Sequence, residues 1–128
     1  MKKIKSLSEK RLIITAQLNG KDANFLIDTG ATVALVSDRL KKKYDLVVGK
    51  KFPQPLVGAG GNFKAYYCNT PAYIEGKPLT QFLIADIDNV IASIKKETGI
   101  EIQGIISLPQ MQFVGMQIDA NDYLIILE

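Results

Sequence analysis

The apolar runs of this chain are short, and nearly all of them stop at Gly, Pro, Asn or Asp. That rhythm suits strands joined by tight turns and leaves little room for long helices. Residues 11–18 (RLIITAQL) and 23–28 (ANFLID) flank Asn19-Gly20-Lys21-Asp22, a turn with hairpin chemistry. Residues 33–37 (VALVS) are apolar and rich in valine, and lead into SDRLKKKYDL, one or two helical turns with Ser37 as the expected N-cap. Pro53 and Pro55 bracket a loop, and Gly58-Ala59-Gly60-Gly61 makes a glycine-rich turn. Further strands are expected at 62–70, 71–76, 79–87 and 100–107, with a turn at Gly76-Lys77-Pro78. A closing hairpin pairs VGMQI with YLIIL across Asp119-Ala120-Asn121-Asp122. The best helix is 88–98 (DNVIASIKKET), with Asp88 as N-cap, Val90, Ile91 and Ile94 on its apolar side, and Gly99 as its stop. A short helix is expected at 108–112. Strands outnumber helices, so the expected fold class is mainly β: a closed antiparallel β domain with one or two short helices.

A length of 128 residues suffices for one domain with its own core and is too short for two, so residues 1–128 read as a single domain. The net charge of +3 is small, and the lysines are scattered except near the N-terminus and at Lys41-Lys42-Lys43. That is not the footprint of a nucleic-acid binder, and the three lysines read as a solvated helix surface. Histidine is absent and cysteine occurs once, at Cys68. Ser-His and Cys-His nucleophile systems, imidazole-based zinc sites and a disulfide framework are thereby excluded. Cys68 reads as a small core residue. Chemistry in this chain must run on carboxylates, hydroxyls, amines or the backbone, and neither a cofactor nor a metal is expected. The N-terminus starts like a basic signal-peptide head, yet Leu12-Ile13-Ile14 is too short for a signal core. No stretch reaches the length of a membrane span, so a cytoplasmic protein with no membrane partner is expected.

The informative stretch is Phe25-Leu26-Ile27-Asp28-Thr29-Gly30-Ala31-Thr32. Three apolar residues imply a buried strand, and a carboxylate at the end of one is costly unless it is hydrogen-bonded or paired. Thr29 adds a hydroxyl, and Gly30 is expected to permit a sharp turn with positive φ. By itself the tripeptide also fits an ordinary strand exit with an Asx-type cap.

The wider context separates the two readings. FLIDTGATVALVS resembles the active-site segment of retropepsin-like aspartic proteases: apolar strand, Asp-Thr-Gly-Ala, apolar strand, short helix. Leu56-Val57-Gly58-Ala59-Gly60-Gly61-Asn62-Phe63 is similar to the glycine-rich flap of that family, and Gln103-Gly104-Ile105-Ile106-Ser107 to its second apolar strand. The tail VGMQIDANDYLIIL, and a helix placed before that second strand, resemble bacterial members. The likeness runs from about residue 11 to residue 127 with its motifs in order.

The resemblance implies an aspartic endopeptidase that needs two carboxylates around one water. This chain has one Asp-Thr-Gly, and Asp86, Asp88 and Asp119 lack the following Thr-Gly or Ser-Gly. The second carboxylate is therefore expected from Asp28 of another copy, in a two-fold homodimer. By resemblance, Asp28, Thr29 and Gly30 are the catalytic residues: Thr29 bonds across the axis to the partner loop, and Gly30 lets that loop approach its twin. Ala31, Gly58, Ala59, Gly60 and Gly61 are the expected substrate-binding residues, holding an extended peptide or protein substrate by its main chain. The glycine-rich turn lacks the Lys-Ser/Thr of a phosphate loop. A serine at position 31 would add a hydrogen bond to the ionised carboxylate and favour strongly acidic conditions; Ala31 cannot, so a mildly acidic to neutral optimum is expected. Residues 1–10 are expected to be a flexible or dimer-contact arm, and residues 123–127 are a candidate strand for a dimer sheet. One departure stands out: the family usually has glycine where this chain has Ser107. A side chain at that strand-to-helix crossing points to the alternative, a catalytically impaired peptide-binding module.

Overall fold

The computed structural model describes residues 1–58 and 61–128. Its strands are β1 (Lys2–Lys5), β2 (Ile13–Leu18), β3 (Lys21–Ile27), β4 (Ala34–Ser37), β5 (Val48–Lys51), β6 (Leu56–Gly58), β7 (Gly61–Phe63), β8 (Ala65–Cys68), β9 (Ala72–Ile74), β10 (Lys77–Leu79), β11 (Phe82–Ala85), β12 (Gly104–Ile106), β13 (Gln117–Asp119) and β14 (Leu124–Leu127). The helices are α1 (Asp88–Thr98) and α2 (Leu108–Val114), with a 3-10 turn at Asp38–Leu40. The mainly β expectation therefore holds. Among the described residues no helix is long and apolar enough to cross a membrane.

Most strand pairs are antiparallel, as expected, but the expected closure needs correction. The main sheet has nine strands in the order β10-β9-β2-β3-β12-β4-β11-β8-β5 and is open, and two of its pairs, β3 with β12 and β4 with β11, are parallel. Parallel strands need a long crossover. Between β3 and β12 the chain traverses most of the fold, and between β4 and β11 it makes the β6–β7 hairpin and its flanks. Periodicity alone cannot reveal such partners, because each strand reads the same whichever neighbour it takes.

β3 and β12 occupy the centre of the sheet, which explains their continuous apolar runs. Phe25 and Ile27 point into the larger core with Val36, Phe82, Ile84 and Ile106, and Phe25 meets Phe82 at 5.5 Å between ring centres. Leu26 and Ile105 face the other way, onto Ile94 of α1. Gly104 is obligatory here: a Cβ would lie 2.6 Å from the Leu35 carbonyl oxygen and 2.7 Å from the Phe25 ring.

Helix α1 has the boundaries expected, and Gly99 ends it in the left-handed conformation. Its start differs. Ile87 is the N-cap and Asp88 is the first helical residue, because the Asp86 carboxylate accepts the Asp88 N–H at 3.0 Å. Ile94 is buried and Ile91 half-buried, whereas Val90 is 36% exposed and stands off the packed face. Two arginines from elsewhere hold the helix. Arg39 grips Asp88 through Nε and a terminal nitrogen at 2.7–3.0 Å, and Arg11 grips Glu97 at 2.6 and 3.1 Å.

The N-terminal arm is built into the fold. β1 pairs antiparallel with β14, whose other edge is taken by β13. The expected closing hairpin is thus present, and Leu124, Ile125 and Ile126 find strand partners on both sides within their own chain. Cys68 is buried, its thiol is pushed up by that burial, and Lys41–Lys43 are exposed, as expected.

Candidate active site

The register of β3 and β12 pairs Ile27 with Ile106, so the next residues, Asp28 and Ser107, leave the sheet side by side. The Asp28 N–H donates to the Ile106 carbonyl at 3.0 Å, extending the ladder to the carboxylate itself. From there the chain turns: the Ala31 N–H donates to the Asp28 carbonyl (3.1 Å), and the Ala31 carbonyl accepts the Leu108 N–H (3.0 Å). The loop is therefore tied both to itself and to the start of α2.

Asp28 is half-buried. Its Oδ1 accepts the Gly30 N–H at 3.0 Å, and Oδ2 has no hydrogen-bond partner among the described residues. Thr29 and Gly30 are exposed, and the Thr29 hydroxyl makes no hydrogen bond among the described residues. Gly30 departs from expectation, because its φ is not in the left-handed region. A Cβ there would meet only Asp28 Oδ1, at an ordinary 3.4 Å. The turn needs no special backbone because the Asp28 side chain accepts the Gly30 N–H and the Asp28 carbonyl accepts the Ala31 N–H. The isolated chain thus gives no steric reason for a glycine at position 30.

Arg11 lies within electrostatic reach of the loop. Its guanidinium is held above its ordinary value by the Glu97 hydrogen bond and charge, with a smaller contribution from Asp28.

Ser107 does not crowd the crossing. It is 2% exposed, with extended backbone (φ −92°, ψ 165°), and is the N-cap of α2. The Gln110 side chain accepts its N–H at 3.3 Å and donates to the Thr80 carbonyl at 2.7 Å. A serine is a favoured residue at such a position.

The glycine-rich segment forms its own two-stranded sheet, pairing Leu56 with Phe63, Val57 with Asn62 and Gly58 with Gly61. Ala59 and Gly60, two of the expected substrate-binding residues, lie outside the described residues. The base of this hairpin is anchored near the Asp28 loop: Leu56 and Phe63 pack against the same apolar cluster as Val33, five residues past Asp28. Ala31 packs with Leu26, Ile91 and Ile105 in the cluster beneath α1.

Residues 14–109 match the family model described as aspartyl protease. The chain belongs to the aspartyl protease family. Solved structures agree on the fold, which is retropepsin-like. EIAV protease complexed with the inhibitor HBY-793 superposes with a TM-score of 0.66 at 21% identity, covering 91% of this chain and 99% of that one. The retroviral protease-like domain of Ddi1 from Leishmania major gives 0.62 at 17% identity, with 92% and 88% covered. A retropepsin-like aspartic protease from Rickettsia conorii gives 0.59 at 16% identity, with 98% and 87% covered. Comparison with curated protein sequences finds no significant match.

The sequence reading found the Asp28 loop and the hairpin. It missed Gln110 and the Arg11–Glu97 clamp, because their partners lie far along the chain. Only the Ser107-to-Gln110 spacing, that of a capping box, was a usable local signal.

Proposed function

We propose that two copies of this chain form an aspartic endopeptidase, each contributing Asp28 to one site. The observation that carries this reading is a half-exposed carboxylate at the end of a buried strand, with one oxygen bonded to its own loop and the other without a partner among the described residues. A second Asp28 beside it would leave two carboxylates sharing one proton, since like charges so close do not both ionise. The ionised member takes a proton from a water as that water attacks the peptide carbon. The protonated member donates to the carbonyl oxygen. The resulting tetrahedral intermediate then collapses with proton transfer to the leaving amine. Thr29 and Gly30 meet the partner's loop, and the exposure of both residues supports that role. In this reading an extended peptide is held between the Asp28 loop with Ala31 and the glycine-rich segment of Gly58, Ala59, Gly60 and Gly61.

The dimer contact of this reading centres on the Asp28 loops rather than on the chain ends. β14 is already flanked by β1 and β13 of its own chain, and the outer edge of β1 carries Lys2, Lys3 and Lys5, which discourage strand addition. The alternative of a catalytically impaired peptide-binding module rests on Ser107, which here is the N-cap of α2, a position that serine suits.

Sedimentation equilibrium across micromolar concentrations, with a peptide-library cleavage assay on the same samples, tests the proposal. A monomer–dimer equilibrium whose dimer fraction tracks the cleavage rate is expected. A strict monomer, or a dimer that cuts nothing between pH 4 and 7, would overturn it.

A further inference from the structure

Beside the Asp28 loop lies a cleft of about 750 Å3. Its walls come from distant parts of the chain: Thr32 and Val33 continue the loop, Phe52 and Tyr67 stand beyond it, Thr80 lies between β10 and β11, and Phe113 projects from α2. Among the described residues none that lines it is charged, in a chain of which 23% is charged. A phosphate, a cation or an ionised side chain would lose its water there without gaining a counter-charge. A neutral, largely apolar occupant suits the lining.

The apolar surface is organised. Phe52 and Tyr67 meet edge to face at 5.5 Å, and Phe113 is 75% exposed. One exposed phenylalanine is ordinary. Beside an aromatic pair in a concave wall it has the character of a binding anchor. The cleft is also held in shape. Gln110 bridges α2 to the Thr80 carbonyl, and Lys77 Nζ donates to the Val114 carbonyl at the far end of the same helix (3.4 Å). Because Leu108 N–H bonds the Ala31 carbonyl, this wall is fastened directly to the Asp28 loop.

Thr32 and Val33 follow Asp28 so closely that the cleft begins no more than ~17 Å from the carboxylate. An extended peptide covers that span in about five residues. We infer that the cleft is an outlying subsite that holds one large apolar side chain, aromatic or leucine-like, of a peptide substrate, within about five residues of the bond that is cut. The inference depends on the peptidase reading above, and Phe113 is the residue on which the subsite's selectivity turns.

Two peptide pools test this. They share a cleavable centre and carry either Phe or Ser at each position three to five residues from it. In the wild-type protein one outlying position is expected to favour Phe by roughly tenfold in kcat/KM, and that ratio to fall towards one in Phe113→Ala. Cleavage with no preference at any outlying position, or a preference that Phe113→Ala keeps, overturns the subsite and leaves the peptidase reading standing. If neither pool is cut, the peptidase reading fails and the cleft is judged by binding: 15N-labelled Asp28→Asn protein is titrated with the Phe pool. Amide shifts at Thr32, Val33 and Thr80 that disappear when Phe113→Ala is added support an apolar-peptide site. Absence of those shifts overturns it, as do shifts that follow protein concentration alone, which would mark a second copy as the occupant.

Discussion

Strands β3 and β12 run parallel and in register, and they leave the sheet at the same level, yet their exits are opposites. At the end of β12, Ser107 is buried, caps α2 and has its N–H taken by Gln110. At the end of β3, Asp28 is half-buried, Thr29 and Gly30 are exposed, and one carboxylate oxygen has no partner among the described residues. One exit spends its polar groups inside the chain and the other keeps them available. The same contrast divides two glycines. Gly104 is required by its own chain, where a side chain would collide with the Leu35 backbone, whereas Gly30 has room for one. Gly104 thus serves its own chain, whereas Gly30 is left free for the loop-to-loop contact proposed above.

Asp28→Asn is the strongest challenge to that contrast. Peptide turnover is expected to drop by about a thousandfold or more, while the urea midpoint hardly moves because the replaced group is near-isosteric and partly solvated. A large loss of stability with little loss of turnover would make the Asp28 exit structural, like its neighbour. Gly30→Ala should come next. The chain alone accommodates it, so unfolding is expected to be nearly unchanged. Dimer dissociation should rise about 10- to 100-fold, the effect of overpacking at a close contact. An unchanged sedimentation profile would remove the Gly30 loop from the interface.

Gly104→Ala should do the reverse, lowering stability by about 1–3 kcal/mol in urea titrations because neither the Leu35 carbonyl nor the Phe25 ring is free to give way. Ser107→Ala is expected to cost ~1 kcal/mol by removing the cap, and Ser107→Gly only a few tenths. A gain in turnover on introducing that glycine would show that Ser107 does impair the site.

The smallest effect concerns pH. Arg39 holds Asp88 below the usual carboxylate range, chiefly by its hydrogen bonds, and Arg11 does the same for Glu97. Carboxylates depressed on folding contribute stability above their unfolded values, and that contribution is lost as pH falls through the folded values. The unperturbed values are 3.8 and 4.5, so the loss falls below about pH 4. Both pairs are exposed, and the effect should be small. The double variant Asp88→Asn, Glu97→Gln should show a slightly flatter dependence of urea midpoint on pH between 3 and 5; an identical slope would assign no stability to the clamps.

Much of the Asp28 exit could be read from consecutive residues. Phe25 to Thr32 carry the buried strand, the carboxylate and the hydroxyl in one segment, and their roles follow from adjacency. The backbone of Gly30 could not be read this way, because a glycine permits left-handed geometry without demanding it. The start of α1 could not be read this way either: Ile87, buried in the core, is the N-cap in place of the expected Asp88, and the Asp86 carboxylate takes the Asp88 N–H.

The sequence by itself determined the β-rich class, the span of α1, the two hairpins around Gly20 and Asp119–Asp122, and the carboxylate that ends β3. Each is encoded within a few neighbouring residues, where hydrophobic period and turn chemistry act locally. Only the tertiary structure decided that β3 and β12 lie parallel, that Ser107 closes its exit while Asp28 leaves one open, and that an uncharged cleft gathers Thr32, Phe52, Tyr67, Thr80 and Phe113 beside it. Those features depend on which distant strands meet and in what register, and that choice is made by the packing of the whole core.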